Sequence, residues 1–167
     1  MRRVATAFIV MAAGLGVAGC GDEGGDSSAP EVSVSADATP AEYQAHLDGL
    51  CRQLRQQVID LSQQQTDGDT ETAEAEDTAN GYADDFEASV AALAVPPELE
   101  DAHAELIENF GSAPPDSSPP TDFIPYYQRL ADSYEKLGAD LCQKYAEQSI
   151  RFAPQVEKAN EASEEDG

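Results

Sequence analysis

Residues 40–61 read PAEYQAHLDGLCRQLRQQVIDL. Tyr43, Leu47, Leu50, Leu54, Val58 and Leu61 recur at spacings of four, three, four, four and three. That period places them on one face of an α-helix and rules out a half-buried strand, whose apolar residues alternate. Thr39 supplies an N-cap hydroxyl, and Pro40 suits the first helical position, where its missing N–H costs nothing. Gln63 to Glu74 loses the pattern and predicts a loop. Asp67-Gly68-Asp69 within it resembles the start of a calcium loop, but the glycine and glutamate that such a loop requires further on are not in place.

The same period returns three times further along the chain. Ala79, Tyr82, Phe86, Val90 and Leu93 predict a second helix that ends at Val95, because Pro96 and Pro97 follow and a residue before proline avoids the helical region. Pro97 opens a third helix with an acidic first turn, Glu98, Glu100 and Asp101, and an apolar face of Leu99, His103, Leu106 and Phe110. Gly111 stops it. Residues 111–120 hold four prolines and read as a loop. Phe123, Tyr127, Leu130, Tyr134, Leu137, Leu141 and Tyr145 predict a last helix capped by Thr121 or Asp122. In this reading Gly138 weakens the helix in its middle, Pro154 ends it near Phe152, and residues 154–167 form an acidic, disordered tail. The fold class expected is all-α: an up-down-up-down four-helix bundle over residues 40–153.

The chain has three cysteines, Cys20, Cys51 and Cys142. In the expected bundle the first and last helices are antiparallel neighbours. Cys51 lies about 11 residues after one begins and Cys142 about 10 before the other ends, so the two fall at similar heights. Each follows a core leucine, and a Cys51–Cys142 disulfide staples the bundle in this reading.

At the other end of the chain, Arg2 and Arg3 precede the apolar run Val4 to Val17, and Val17-Ala18-Gly19-Cys20 closes it. The run is shorter than the about 20 residues a spanning helix needs. This stretch resembles a bacterial lipoprotein signal peptide with its lipobox, residues 1–19 being the segment removed. The resemblance implies a diacylglyceryl thioether on Cys20, a further acyl chain such as palmitate on its amine, and a location on the extracytoplasmic face of the cell membrane. Residues 20–39, rich in Gly, Ser and Asp, then form a lipidated flexible tether with a reach of about 25 Å. The ectodomain resembles small helical lipoproteins of high-GC bacteria.

The chain carries 33 acidic against nine basic residues. Without Arg2 and Arg3, seven basic residues remain, a formal charge of −26. Such a charge opposes nucleic-acid binding, which depends on Lys and Arg. It favours solubility and long-range steering toward basic partners.

Motifs for catalysis are missing: no Gly-x-Ser-x-Gly, no phosphate-cradling glycine loop and no His-Glu-x-x-His. Glu100 and His103 have the Glu-x-x-His spacing used in di-iron bundles, and Glu42 with His46 lies one turn apart on the first helix. Four carboxylates and two histidines are needed there, so Glu100 and His103 stand as isolated metal candidates and no cofactor is expected. Six tyrosines at helical spacing read as core residues with hydroxyls toward the surface, or as the lining of a ligand cleft. The expected function is a non-enzymatic envelope lipoprotein that binds a partner. The alternative is a module that binds a small solute or metal in a cleft between helices.

Overall fold

The computed structural model describes residues 38–68, 72–115 and 118–165. They form five α-helices and no strand: α1 (Pro40–Asp67), α2 (Thr72–Ala91), α3 (Glu100–Phe110), α4 (Ile124–Leu137) and α5 (Asp140–Glu165). Short 3-10 turns at Pro97–Leu99 and Pro120–Phe123 lead into α3 and α4. Cys20 and the signal-like segment lie outside the described residues.

Helix α1 begins as its sequence dictates. The Thr39 hydroxyl accepts from the Glu42 N–H, and the Glu42 carboxylate accepts from the Thr39 N–H at 2.9 Å, a reciprocal capping box. Tyr43, Leu47, Cys51, Val58 and Leu61 are its buried face. The helix runs through the expected loop as far as Asp67. It stops at Gly68, whose φ of 80° lets its N–H reach the carbonyls of Gln64 and Gln65.

The main departure from the expected four-helix bundle is at Gly138. Its φ is 69°. Its N–H donates to the Glu135 carbonyl at 3.0 Å, and the Ala139 N–H donates to the Tyr134 carbonyl at 2.9 Å. This is a Schellman motif, the usual way to end a helix at a left-handed glycine. Helix α5 starts at once, with the Gln143 N–H on the Ala139 carbonyl. The expected fourth helix is therefore two helices. Pro154 does not end α5, which continues past it to Glu165, so the stretch read as a disordered tail is helical as far as that residue.

Helix α1 packs on α2 and α5, α4 packs on α3 and α5, and α2 touches α3. Side-chain pairs fix the directions. Glu105 with Lys136, Asn109 with Ser133 and Ser112 with Arg129 make α3 and α4 antiparallel. Glu157 accepts from the Thr121 N–H, which closes α4 and α5 into an antiparallel hairpin about the Gly138 turn. Between α1 and α5, Asp48 meets Leu141, Cys51 meets Cys142 and Arg55 meets Gln148. The numbers rise together, so these two helices are parallel, where a four-helix bundle would make its first and last helices antiparallel.

The core holds Leu47, Val90, Leu106, Phe110, Phe123, Leu130 and Leu137 around four tyrosines, Tyr43, Tyr126, Tyr127 and Tyr134. Phe86 and Phe110 meet edge to face with centroids 5.9 Å apart. A smaller cluster, Leu61, Ala75 and Ala79 with Tyr82 against it, joins the far ends of α1 and α2. Among the described residues no helix is long and apolar enough to cross a membrane.

Candidate functional site

His103 sits on the apolar face of α3, with Leu106 one turn on. Its Nδ1 lies 2.8 Å from the Tyr43 hydroxyl of α1. The two rings meet edge to face at 5.8 Å. Burial holds the imidazole below its usual pKa, which favours the neutral ring. Burial also pushes the Tyr43 hydroxyl up to about 12, so it keeps its proton. The Tyr43 O–H therefore donates to Nδ1, and the ring proton is assigned to Nε2. His103 is committed to tying α3 to α1.

Glu100 is exposed in the first turn of α3. Glu42 is engaged in the α1 cap, where the Thr39 N–H and hydroxyl hold its carboxyl below the usual range. His46 is exposed. The structure does not bring these four residues together. Among the described residues no three His, Cys, Asp or Glu side chains converge as metal ligands.

A second polar group lies deeper. Burial raises the Tyr126, Tyr127 and Tyr134 hydroxyls above the usual tyrosine range. The charge of Glu87 of α2 adds to the upward shift at Tyr126 and Tyr134. Glu87 itself is half-buried, and burial together with Asp84 raises its pKa. Tyrosines held this far above neutral pH are hydrogen-bond groups, not bases. Tyr43, Glu87, His103, Tyr126 and Tyr134 thus bring polar groups from four helices into the interior. The tyrosine spacing pointed to these core positions. Glu87 was missed because it reads as one more acid among the eleven between residues 72 and 110.

The third locus is the α1–α5 seam. Cys51 and Cys142 form a disulfide with S–S 2.05 Å and Cα atoms 5.5 Å apart. The expected pair is present, but not for the expected reason. Cys142 is in the first turn of α5, not ten residues before its end. It is brought to Cys51 by the reversal at Gly138 and by Asp48. One Asp48 oxygen accepts from the Leu141 N–H at 3.0 Å and from the Cys142 N–H at 3.4 Å, so a residue of α1 caps α5. Beside it, Arg55 donates to Gln148 at 2.6 Å and lies 4.5 Å above the Tyr145 ring. Asp48 was legible only as a polar residue next to core Leu47; nothing in the sequence names a cap so far along the chain.

Comparison with protein-family models, with curated proteins and with solved structures finds no match to this chain.

Proposed function

We propose that the protein is a lipid-anchored lipoprotein on the extracytoplasmic face of the cell membrane, held through Cys20, and that its helical domain binds a basic envelope partner without catalysing a reaction. The lipobox-like Val17-Ala18-Gly19-Cys20 carries the anchor. A disulfide that joins the domain supports an oxidising location.

The observation that favours a basic partner is how charge is distributed. Residues 72–110, which comprise α2 and α3, hold eleven acidic side chains and no Lys or Arg. Of these, Glu105 pairs with Lys136 of α4. Helix α4 is balanced, with Arg129 and Lys136 against Asp132 and Glu135. One side of the bundle is therefore far more anionic than the rest, which steers basic surfaces toward it, an effect screened by salt. The competing reading is a small-solute binder, for which the tyrosine-rich interior is the motive.

Two measurements test this. A fatty-acid analogue fed to cells should label the wild type and leave Cys20→Ala unlabelled; equal labelling refutes the anchor. Partners captured from intact envelopes should be lost when Asp84, Asp85, Glu98 and Asp101 are neutralised. Neutralising four acids of α5 should leave capture intact. Equal loss from both sets, or capture of a small molecule alone, refutes the partner reading.

A further inference from the structure

The α1–α5 seam contains more than a disulfide. Four residues of α1, namely Gln44, Leu47, Asp48 and Arg55, meet the Gly138 turn or α5 without involving the sulfur–sulfur bond. Asp48 accepts from the backbone N–H groups of Leu141 and Cys142. Cys142 Sγ lies 3.4 Å from the Leu47 carbonyl oxygen. A Cβ at Gly138 would meet the Gln44 side chain, so the turn that starts α5 rests directly on α1. Arg55 bridges to Gln148 two turns further on.

Chain statistics oppose the pairing that is observed. Cys20, Cys51 and Cys142 allow three single disulfides. In an unstructured chain the entropic cost of closure grows as about (3/2)RT ln n. Closing the 31-residue interval from Cys20 to Cys51 is then favoured about five-fold over closing the 91-residue interval from Cys51 to Cys142. Until the Cys20 thiol is modified, the shorter and non-native loop is the easier one to form.

The geometry points to Asp48 as a positioning residue that directs oxidation to Cys51–Cys142. It caps α5 while the cysteines are still reduced and holds Cys142 opposite Cys51. One cysteine thiolate attacks an oxidant disulfide such as glutathione disulfide and releases one glutathione thiolate. The second cysteine thiolate then attacks the mixed disulfide and releases another. Two protein thiols lose two electrons and two protons, and glutathione disulfide becomes two glutathione molecules. Asp48 takes no part in the electron transfer. It raises the effective concentration of one thiol at the other.

The test uses the full-length chain with Cys20 unmodified, reduced and refolded in a glutathione buffer. Disulfides are trapped with time and mapped by mass spectrometry. Wild type should close Cys51–Cys142 as the dominant product. Asp48→Ala removes the acceptor and should slow that closure about five-fold, the factor matching a cap worth about 1 kcal/mol, while the Cys20–Cys51 product grows. Asp48→Asn keeps an acceptor oxygen and should stay within about two-fold of wild type. Asp60→Ala, on the same helix but away from α5, should change nothing. Wild-type rate and product distribution in Asp48→Ala would overturn the proposal. So would an Asp48→Asn defect as large as that of Asp48→Ala, since charge and not capping would then be responsible. If Asp48→Ala does not fold, Asp48→Leu, which keeps the volume of the side chain and lacks an acceptor, takes its place with the same expected slowing, and wild-type kinetics and products there overturn the proposal.

Discussion

Replacing Gly138 by alanine separates the five-helix fold from a four-helix one by the sign of its effect. If residues 121–152 were one helix, Gly138→Ala would fill an interior helical position and stabilise the protein by about 0.5–1 kcal/mol. In the structure Gly138 has φ 69°, and a Cβ there would meet the end of the Gln44 side chain. A non-glycine residue in that left-handed region costs about 1–2 kcal/mol. The Gln44 amide is the end of a flexible side chain and can move away at a small added cost. The net expectation is a loss of about 1–2 kcal/mol, a fall in melting temperature of roughly 3–8 °C for a domain of this size. Urea unfolding followed by circular dichroism measures it. Gly49→Ala is the internal control: Gly49 is helical with nothing within 4 Å of its would-be Cβ, so it should gain about 0.5–1 kcal/mol. Adding Gln44→Ala to Gly138→Ala removes the contact and should restore only the smaller, steric part. A stabilised Gly138→Ala protein would refute the reversal at this position, and with it the parallel placement of α1 and α5.

Replacing Cys51 and Cys142 together by serine should lower stability by as much as about 4–5 kcal/mol, the chain-entropy figure for a separation of 91 residues. The far-ultraviolet helical signal should be kept, and its loss would show that helix formation itself needs the bond. pH dependence should follow His103 and Glu87 in opposite senses. The folded pKa of His103 is below its unfolded value, so its contribution is complete above about pH 6.5 and declines as pH falls through that value. The folded pKa of Glu87 is raised above 4.5, so its carboxylate disfavours the fold above the raised value, and that penalty is relieved as pH falls through it. His103→Gln should therefore flatten the stability loss between pH 7 and 5, and Glu87→Gln should steepen the loss at lower pH. Unchanged profiles in both variants would show that neither group is seated as described.

The helical period was enough to find every apolar face, because burial in a bundle selects residues three and four apart regardless of topology. It was not enough to count helices. The run from Phe123 to Tyr145 keeps its three/four spacing straight across Gly138, since α4 and α5 both turn their apolar faces to the same core. The breaker was legible in another signal: Lys136 in a last turn, Gly138 after it and Asp140 opening a new first turn make a stop followed by a start. Pro154 misled in the opposite direction. Proline removes one backbone donor and strains one turn. Here the helix continues through it, with Ala153 buried just before. The pair Cys51–Cys142 was read correctly from redox logic and wrongly from height, because the disulfide depends on a reversal that hydrophobic spacing cannot show. The Tyr43–His103 bond and the Asp48 cap join different helices, so they follow from the assembled fold and not from local sequence.

An odd number of alternating helices gives the molecule two unlike poles. The described chain enters at Thr39, beside the start of α1, and α5 leaves in the direction in which α1 runs. At 1.5 Å per residue, the 28 residues of α1 and the 26 of α5 cover about 42 Å and 39 Å. Entry and exit are therefore separated by nearly the full height of the bundle, whereas four helices would have returned the chain to the side where it began. If Cys20 carries the proposed lipid, the exit end is the pole opposite the one the tether joins, and a tag or fluorophore attached there would leave the tethered pole untouched.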